Sequence, residues 1–329
     1  MAALADERWG VTVPLPVPLL EHRQWYADLA SWGYTDVWSL EANAYDGVTP
    51  LALAAAWEPS LRLGTAILST FTRGPAVLAQ TAATMAHIAP GRFALGLGSS
   101  SDVLVRRMNG IAFDRPYQRT ADVVRFLRRA LAGERVTEAY ETFAVDGFQL
   151  ADPPAEPPEL LVAALRPRML ALAGTDADGV ILNWLSADDV RAVVPHVLDH
   201  NAGAEVVARI MVCPTADRDA VRRAVAPLVA TYLNVPVYRA FHEWLGRADA
   251  LAPVWEAWDR RDRAGAVAAV SDAVIDELCV SGDAATCRAR LDEYVANGVT
   301  TPVLALLPVD GDVRRALEAL APRHAGVAR

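Results

Sequence analysis

The stretch Pro90-Gly91-Arg92-Phe93-Ala94-Leu95-Gly96-Leu97-Gly98-Ser99-Ser100-Ser101 is where residue types alone suggest chemistry. Phe93 to Leu97 is an apolar run without polar alternation, as expected of a strand buried on both faces, and it opens at Gly98 into three hydroxyls. Glycine lets a ligand approach the backbone, and serines with exposed N–H groups suit a phosphate or a ring carbonyl. The same residues also make an ordinary turn after a strand. Gly96-Leu97-Gly98-Ser99-Ser100-Ser101 nearly matches the dinucleotide fingerprint. However, Ser101 replaces the third glycine, and no acidic residue closes a second strand about 20 residues on. Asp114 to Leu131 reads as a helix instead, so a dinucleotide-binding Rossmann site is not expected.

Other side chains depend on what the fold brings to them. Glu41 opens the polar and aromatic run Glu41-Ala42-Asn43-Ala44-Tyr45-Asp46-Gly47 and is either a proton carrier or ring contact, or a solvated loop carboxylate. Asn43, in the same loop, is a candidate substrate contact, whereas Asp46 fits a turn or cap-region role before Thr49. Arg73 suits an anionic tail or a loop brace equally. Trp38 and Trp184 read as pocket-lining and substrate-binding; Trp244, Trp255 and Trp258 read as packing. His196 and His200 have the i, i+4 spacing of two metal ligands, but no cysteine or third histidine lies near. They read as surface residues, and no metal site is expected.

Composition narrows the chemistry further. All 31 Lys-or-Arg positions of the 329 are arginine, and without a lysine amine Schiff-base aldolases, pyridoxal-phosphate enzymes and Walker-type nucleotide sites are excluded. A net charge of −9 argues against nucleic acid or an anionic membrane as partner. Cys213, Cys279 and Cys287 form no Cys-x-x-Cys pair, which fits a reducing compartment. The first ten residues lack an apolar signal core and no apolar run approaches a membrane span, so a cytoplasmic location is expected.

The elements that must position these residues alternate between strand and helix. Strands are expected at Trp9–Val13, Thr35–Leu40, Leu61–Leu68, Arg92–Gly98, Leu160–Ala164, Val180–Leu182, Val206–Val212 and Pro302–Leu307. Helices are expected at Leu19–Trp32, Thr49–Trp57 (Thr49 as N-cap), Ala76–Ala89, Asp114–Leu131, across Val190–His200, Ala284–Ala296 and Val313–Leu320. Val136–Leu150 reads as a hairpin around Asp146-Gly147. The charged stretch from 217 to 276 is too long for one crossover and reads as a helical insertion capping the mouth of a barrel. The expected fold is therefore α/β: a single (β/α)8 TIM barrel over residues 1–329 with a helical insertion after its seventh strand.

Three stretches together resemble the bacterial luciferase-like superfamily, especially its branch dependent on coenzyme F420: Leu63–Ala76, Ala89–Gly98, and Leu161–Leu165 followed by Ala173–Val180. The resemblance runs over roughly residues 8–310. It implies a (β/α)8 barrel, commonly a homodimer, holding a reduced flavin or deazaflavin at the C-terminal mouth without metal. It also implies a non-prolyl cis peptide behind the ring, here Ala66–Ile67, and cofactor contacts from Gly98, Ser99 and Ser100. Ala163, Ala164, Leu165 and Arg166, with Asn183 and Trp184, stand at the other matching positions, Arg166 being the cation nearest the implied phosphate tail. The hexose-phosphate dehydrogenases of the family carry an Asp-His pair where this chain has Glu41 and Ala42. The chain therefore looks closer to the methylenetetrahydromethanopterin reductase-like enzymes.

The implied function is hydride transfer between coenzyme F420 and an unidentified small organic substrate, with Glu41 as the candidate catalytic group. The alternatives are an FMN-dependent monooxygenase, which needs a dry pocket, and a non-catalytic cofactor-binding barrel.

Overall fold

The computed structural model describes residues 8–307 and 311–322. Strand β1 (Gly10–Val13) leads through α1 (His22–Trp32) to β2 (Asp36–Ser39), and α2 (Thr49–Trp57) leads to β3 (Arg62–Thr65). β4 (Leu68–Ser69) continues β3 after a break, and α3 (Pro75–Ile88), β5 (Phe93–Gly98) and α4 (Pro116–Leu131) follow. A two-stranded antiparallel ribbon, β6 (Val136–Ala139) with β7 (Ala144–Phe148), precedes β8 (Glu159–Ala163). Next come α5 (Pro167–Asp176), β9 (Gly179–Asn183), α6 (Ala187–Val193), α7 (Pro195–Leu198) and β10 (Glu205–Cys213). Five helices then run in succession: α8 (Arg218–Tyr232), α9 (Pro236–Trp244), α10 (Ala248–Asp259), α11 (Arg263–Ala268) and α12 (Asp272–Leu278). β11 (Cys279–Ser281), α13 (Ala284–Ala296), β12 (Thr301–Leu306) and α14 (Val313–Ala319) complete the described elements.

The strands close into a ring in the order β1-β2-β3-β5-β8-β9-β10-β12. The last strand returns to the first, with Val303 opposite Gly10, and every pairing in the ring is parallel. This is the (β/α)8 barrel expected from the alternation of strands and helices. Outward residues such as Val11, Val37, Leu63, Leu95, Val162, Val180 and Val206 form the core between strands and helices. Inward residues build layers, because side chains two apart on a strand share a face.

The lowest inward layer is charged. The Arg62 guanidinium meets Asp36 at 3.0 Å, Glu205 at 2.7 Å and also Glu159, while Thr301 donates to Glu205 at 2.6 Å. Above it Trp38, Ala94, Leu161, Ile181, Val207 and Val303 fill the interior, with Ala66, Ile67 and Ala163 packed on top. The Trp38 ring occupies room that Gly10 and Gly64 vacate. A Cβ on Gly10 would fall 2.7 Å from Cδ1, and one on Gly64 would fall 2.6 Å from Cδ2. Glycine here is a requirement of packing.

Some expected elements differ in detail. The strand expected over Leu61–Leu68 is interrupted at Ala66–Ile67, whose peptide bond is cis as the resemblance implied. The hairpin turn lies at residues 140–143, and Gly147, with φ 68°, sits inside β7 opposite a register shift. The helix expected across Val190–His200 breaks before Pro195, which lacks the N–H that continuation requires. Thr49 does not cap α2 with its side chain; the Asp46 carboxylate accepts from the Val48 and Thr49 amides, each at 2.9 Å. β11, which pairs with the end of β10, and the π-helical turn Val103–Met108 carried no periodic signal. No described helix is long and apolar enough to cross a membrane.

Candidate active site

The strand ends and the loops after them converge on the C-terminal mouth of the barrel. After β2 the chain runs through Glu41 to Gly47, and after β4 through Thr70 to Gly74. The Arg73 guanidinium joins the two loops, 3.1 Å from Glu41 and 4.0 Å from Asp46. Glu41 is thus a paired carboxylate at the rim, one-fifth exposed, and Arg73 acts as its brace. Asn43 is exposed in the same loop.

Ala66, Ile67 and Ala163, all partly exposed, form an apolar bed over the Trp38 layer. Gly98 lies beside them. A Cβ there would come 3.1 Å from the Ala163 Cβ and 3.2 Å from Ile67, so glycine keeps the bed open. The Gly98 carbonyl accepts from the Thr70 amide at 2.9 Å, which ties β5 to the loop after β4. Ser99 and Ser100 follow half-exposed, and Ser100 adopts the left-handed region with φ 62°. Across the bed, Arg166 is exposed immediately before α5, with no ion pair among the described residues.

The structure encloses both of the tryptophans expected to line the pocket. Trp38 is wholly buried in the barrel interior and supports the bed from below, because Gly10 and Gly64 leave room for an indole under it. Trp184 is also buried, with φ 55°, and packs on Tyr232 at a ring separation of 5.4 Å, covered by the helices after β10. Ala164 turns its methyl into the outer core, so only its backbone faces the mouth, and Leu165 packs against that core. His196 and His200 do not form a site: His196 packs on Trp244, His200 is exposed, and no metal-binding cluster exists among the described residues.

The helices after β10 cover one side of the mouth. Val225, Val229, Leu251, Val254 and Trp255 share one apolar cluster with Trp184, Met211 and Ala305 from the ends of β9, β10 and β12. Tyr238, on α9, reaches the mouth and accepts a hydrogen bond from Asn183 Nδ2 at 3.2 Å. Arg209 is the inward residue of β10 opposite Asn183. Burial lowers its pKa from the usual guanidinium value, while Tyr232 and Tyr238 act in the opposite sense. Neither Tyr238 nor Arg209 was singled out from the sequence. Arg209 had a signal, since it is the one charged residue in the apolar run Val206–Val212; Tyr238 had none.

Toward the mouth, Thr12 Oγ1, Asn183 Oδ1, Trp184 Nε1 and Arg209 Nε are buried without a hydrogen-bond partner among the described residues. Buried polar groups are nearly always paired, so unpaired atoms near the strand ends are candidates for ligand contacts. An open apolar bed beside such atoms suits a planar, polar-edged ring, and the serines and Arg166 at its rim suit an anionic tail.

A parallel barrel with a polar ligand surface at its C-terminal mouth defines the TIM-barrel enzyme class. Within it, the chain belongs to the luciferase-like monooxygenase family, whose model matches residues 6–301. It is 27% identical over 324 residues to the 5,10-methylenetetrahydromethanopterin reductase of Methanolobus tindarius, covering 92% of this chain and 94% of the relative. It is 30% identical over 167 residues to an F420-dependent hydroxymycolic acid dehydrogenase of Mycobacterium tuberculosis, covering 48% of this chain and 44% of the relative. The fold superposes on the coenzyme F420-dependent tetrahydromethanopterin reductase of Methanopyrus kandleri with a TM-score of 0.79 and 22% identity, covering 97% and 98% of the two chains.

Proposed function

We propose that this chain transfers a hydride between coenzyme F420 and a small organic substrate at the barrel mouth. The open bed of Ala66, Ile67, Gly98 and Ala163 carries the reading. The F420-dependent relatives support the choice of cofactor. A bound deazaflavin would supply the hydride-exchanging carbon. The bed would hold its ring, and the backbone of Gly98 to Ser100 and of Ala163 to Leu165, with the Arg166 side chain, would hold its tail. Asn43, exposed in the loop after β2, stands where it could meet a substrate. Glu41, fixed by Arg73, would take a proton from a substrate undergoing oxidation or return it in the reverse direction. The helices after β10 would keep water from one side of the bed.

Titration of the purified protein with oxidised F420 and with FMN, followed by fluorescence quenching, tests the reading. Tighter binding of F420 is expected. A preference for FMN, with oxygen uptake on reduction, would replace this reading by the monooxygenase. We also infer a homodimer, supported by the small-residue faces of α2 and α3 and by Val77 and Ile88 exposed on α3. Light scattering showing a monomer at micromolar concentration would overturn it. The three buried free cysteines fit a reducing, cytoplasmic setting.

A further inference from the structure

Buried guanidinium groups in this chain are compensated by named acceptors. Arg62 meets Asp36, Glu159 and Glu205, and Arg247 meets Asp189 at 2.8 Å and Glu277 at 2.5 Å. Where no carboxylate is near, carbonyls serve: Arg119 Nε donates to Thr70 O at 3.0 Å, and Arg290 Nη1 donates to Cys279 O at 3.0 Å. Arg209 differs from all of these. Among the described residues it has no carboxylate or carbonyl partner; its Nη1 reaches only the Met211 sulfur at 3.8 Å, and its Nε is buried without a partner.

Arg209 is partly exposed toward the mouth with its Nε buried, and a cation left uncompensated there is costly unless an anion arrives with a ligand. The geometry places this cation inside the barrel. Arg209 follows Val207 of the interior layer on the same face of β10, and it lies opposite Asn183 at the end of β9. Its electrostatic neighbours are Tyr232 and Tyr238, and no carboxylate is among them. The Asn183–Tyr238 pair adds a donor in either amide orientation. With Nδ2 donating to Tyr238, the phenol O–H is left to give; with the amide turned over, Oδ1 accepts that O–H and Nδ2 is left instead.

We propose that Arg209, flanked by Asn183 and Tyr238, is the subsite for an anionic oxygen group on the substrate, a carboxylate or a phosphate. The proposal deepens the hydride-transfer reading and rests on it only for the word substrate. It makes the substrate class an organic acid, entering with its anion toward β10 and its reacting carbon toward the bed. A carboxylate matches the planar guanidinium fork edge to edge, whereas a phosphate meets it as a tetrahedral anion.

Isothermal titration of the protein, with and without F420, by benzoate, its neutral isostere benzamide and inorganic phosphate tests this. Benzoate or phosphate should bind at least about tenfold tighter than benzamide, and Arg209→Met, which keeps length but removes charge, should abolish the difference. Preference for benzoate identifies a carboxylate, preference for phosphate a phosphate. The F420 affinity of Arg209→Met should stay within about twofold of the parent, since the cofactor bed is untouched. Equal binding of benzoate and benzamide with no phosphate binding, or an anion preference that survives Arg209→Met, overturns the proposal. If Arg209→Met does not fold, equal binding of benzoate and benzamide by the parent still overturns the proposal, as does a Tyr238→Phe variant that keeps the full anion affinity, which should instead fall several-fold. An Arg209-dependent anion preference in a protein that fails to bind F420 would sink the cofactor reading and leave the subsite standing.

Discussion

Replacing Gly64 by alanine tests the account of the barrel interior most sharply. At a glycine of ordinary backbone conformation, alanine usually stabilises by about 0.4–1 kcal/mol by restricting the unfolded chain. Gly64 is not among the positive-φ glycines, yet its Cβ would lie 2.6 Å from Trp38 Cδ2 and nearer still to Cε3 and Cζ3. The ring has no retreat, because Gly10 and Val303 bound its other side, where a Gly10 Cβ would meet Cδ1 at 2.7 Å. The added methyl must therefore move a rigid, fully buried indole or the strand that carries it. Overpacking of a core costs about 1–3 kcal/mol, and this site belongs at the upper end, so Gly64→Ala should lose about 3 kcal/mol. Trp38→Leu alone should cost about 2–4 kcal/mol through the space it opens, somewhat less than the roughly 3–5 kcal/mol of full truncation. In the double variant the methyl finds that space, and the two costs should fall short of additivity by about 2 kcal/mol. Urea unfolding followed by far-UV circular dichroism reads all three, with the slope checked for constancy. A Gly64→Ala variant within about 0.5 kcal/mol of the parent, or strict additivity, would refute the packing argument.

Two further outcomes are expected. His242 on α9 is fully buried with neither ring nitrogen partnered among the described residues, and burial, with Arg247 adding and Asp189 opposing, lowers its pKa to about 4. The unfolded chain then binds a proton below about pH 6.5 that the folded chain refuses, so stability is full above that pH and falls toward pH 4 by about 3 kcal/mol. Urea unfolding at pH 7 and pH 5 should show about 2 kcal/mol of this loss in the parent and not in His242→Phe; equal losses in both would count against it. Glu41→Gln keeps size and hydrogen bonding but cannot carry a proton, and it should lower turnover by about 10²–10⁴-fold with F420 affinity nearly unchanged. Unchanged turnover would reduce Glu41 to a partner of Arg73.

The barrel was legible because its strands are short apolar runs set between helical periodicities, a pattern that depends on neighbours in sequence. Gly98 and the serines were visible for the same reason, as the abrupt end of such a run. Trp38 was misread as pocket-lining because the face a strand residue presents depends on register. The glycines that make room for it, Gly10 and Gly64, lie on other strands. Arg209 was overlooked as one arginine among many in a chain without lysine, although it alone is charged in the run Val206–Val212; its lack of a partner is visible only in the assembled strands. The hairpin was placed at Asp146-Gly147 because that dipeptide favours turns, but the strand pairing puts the turn at 140–143 and leaves Gly147 within β7.

The arginine at the base of the barrel has a consequence for how the chain reaches its fold. Arg62 is 26 residues from Asp36, 97 from Glu159 and 143 from Glu205, and it touches all three. A fragment ending before β8 would enclose that guanidinium with Asp36 alone, and each missing acid makes enclosure dearer. Early in assembly, therefore, the lower barrel is better left open to water than sealed. Only the arrival of β8 and then β10 makes closure favourable, and contacts of such long separation form slowly. The barrel should accordingly resist division into autonomous halves: a cut between β5 and β8 separates Arg62 from two of its three acids, and the pieces should regain native structure only when mixed.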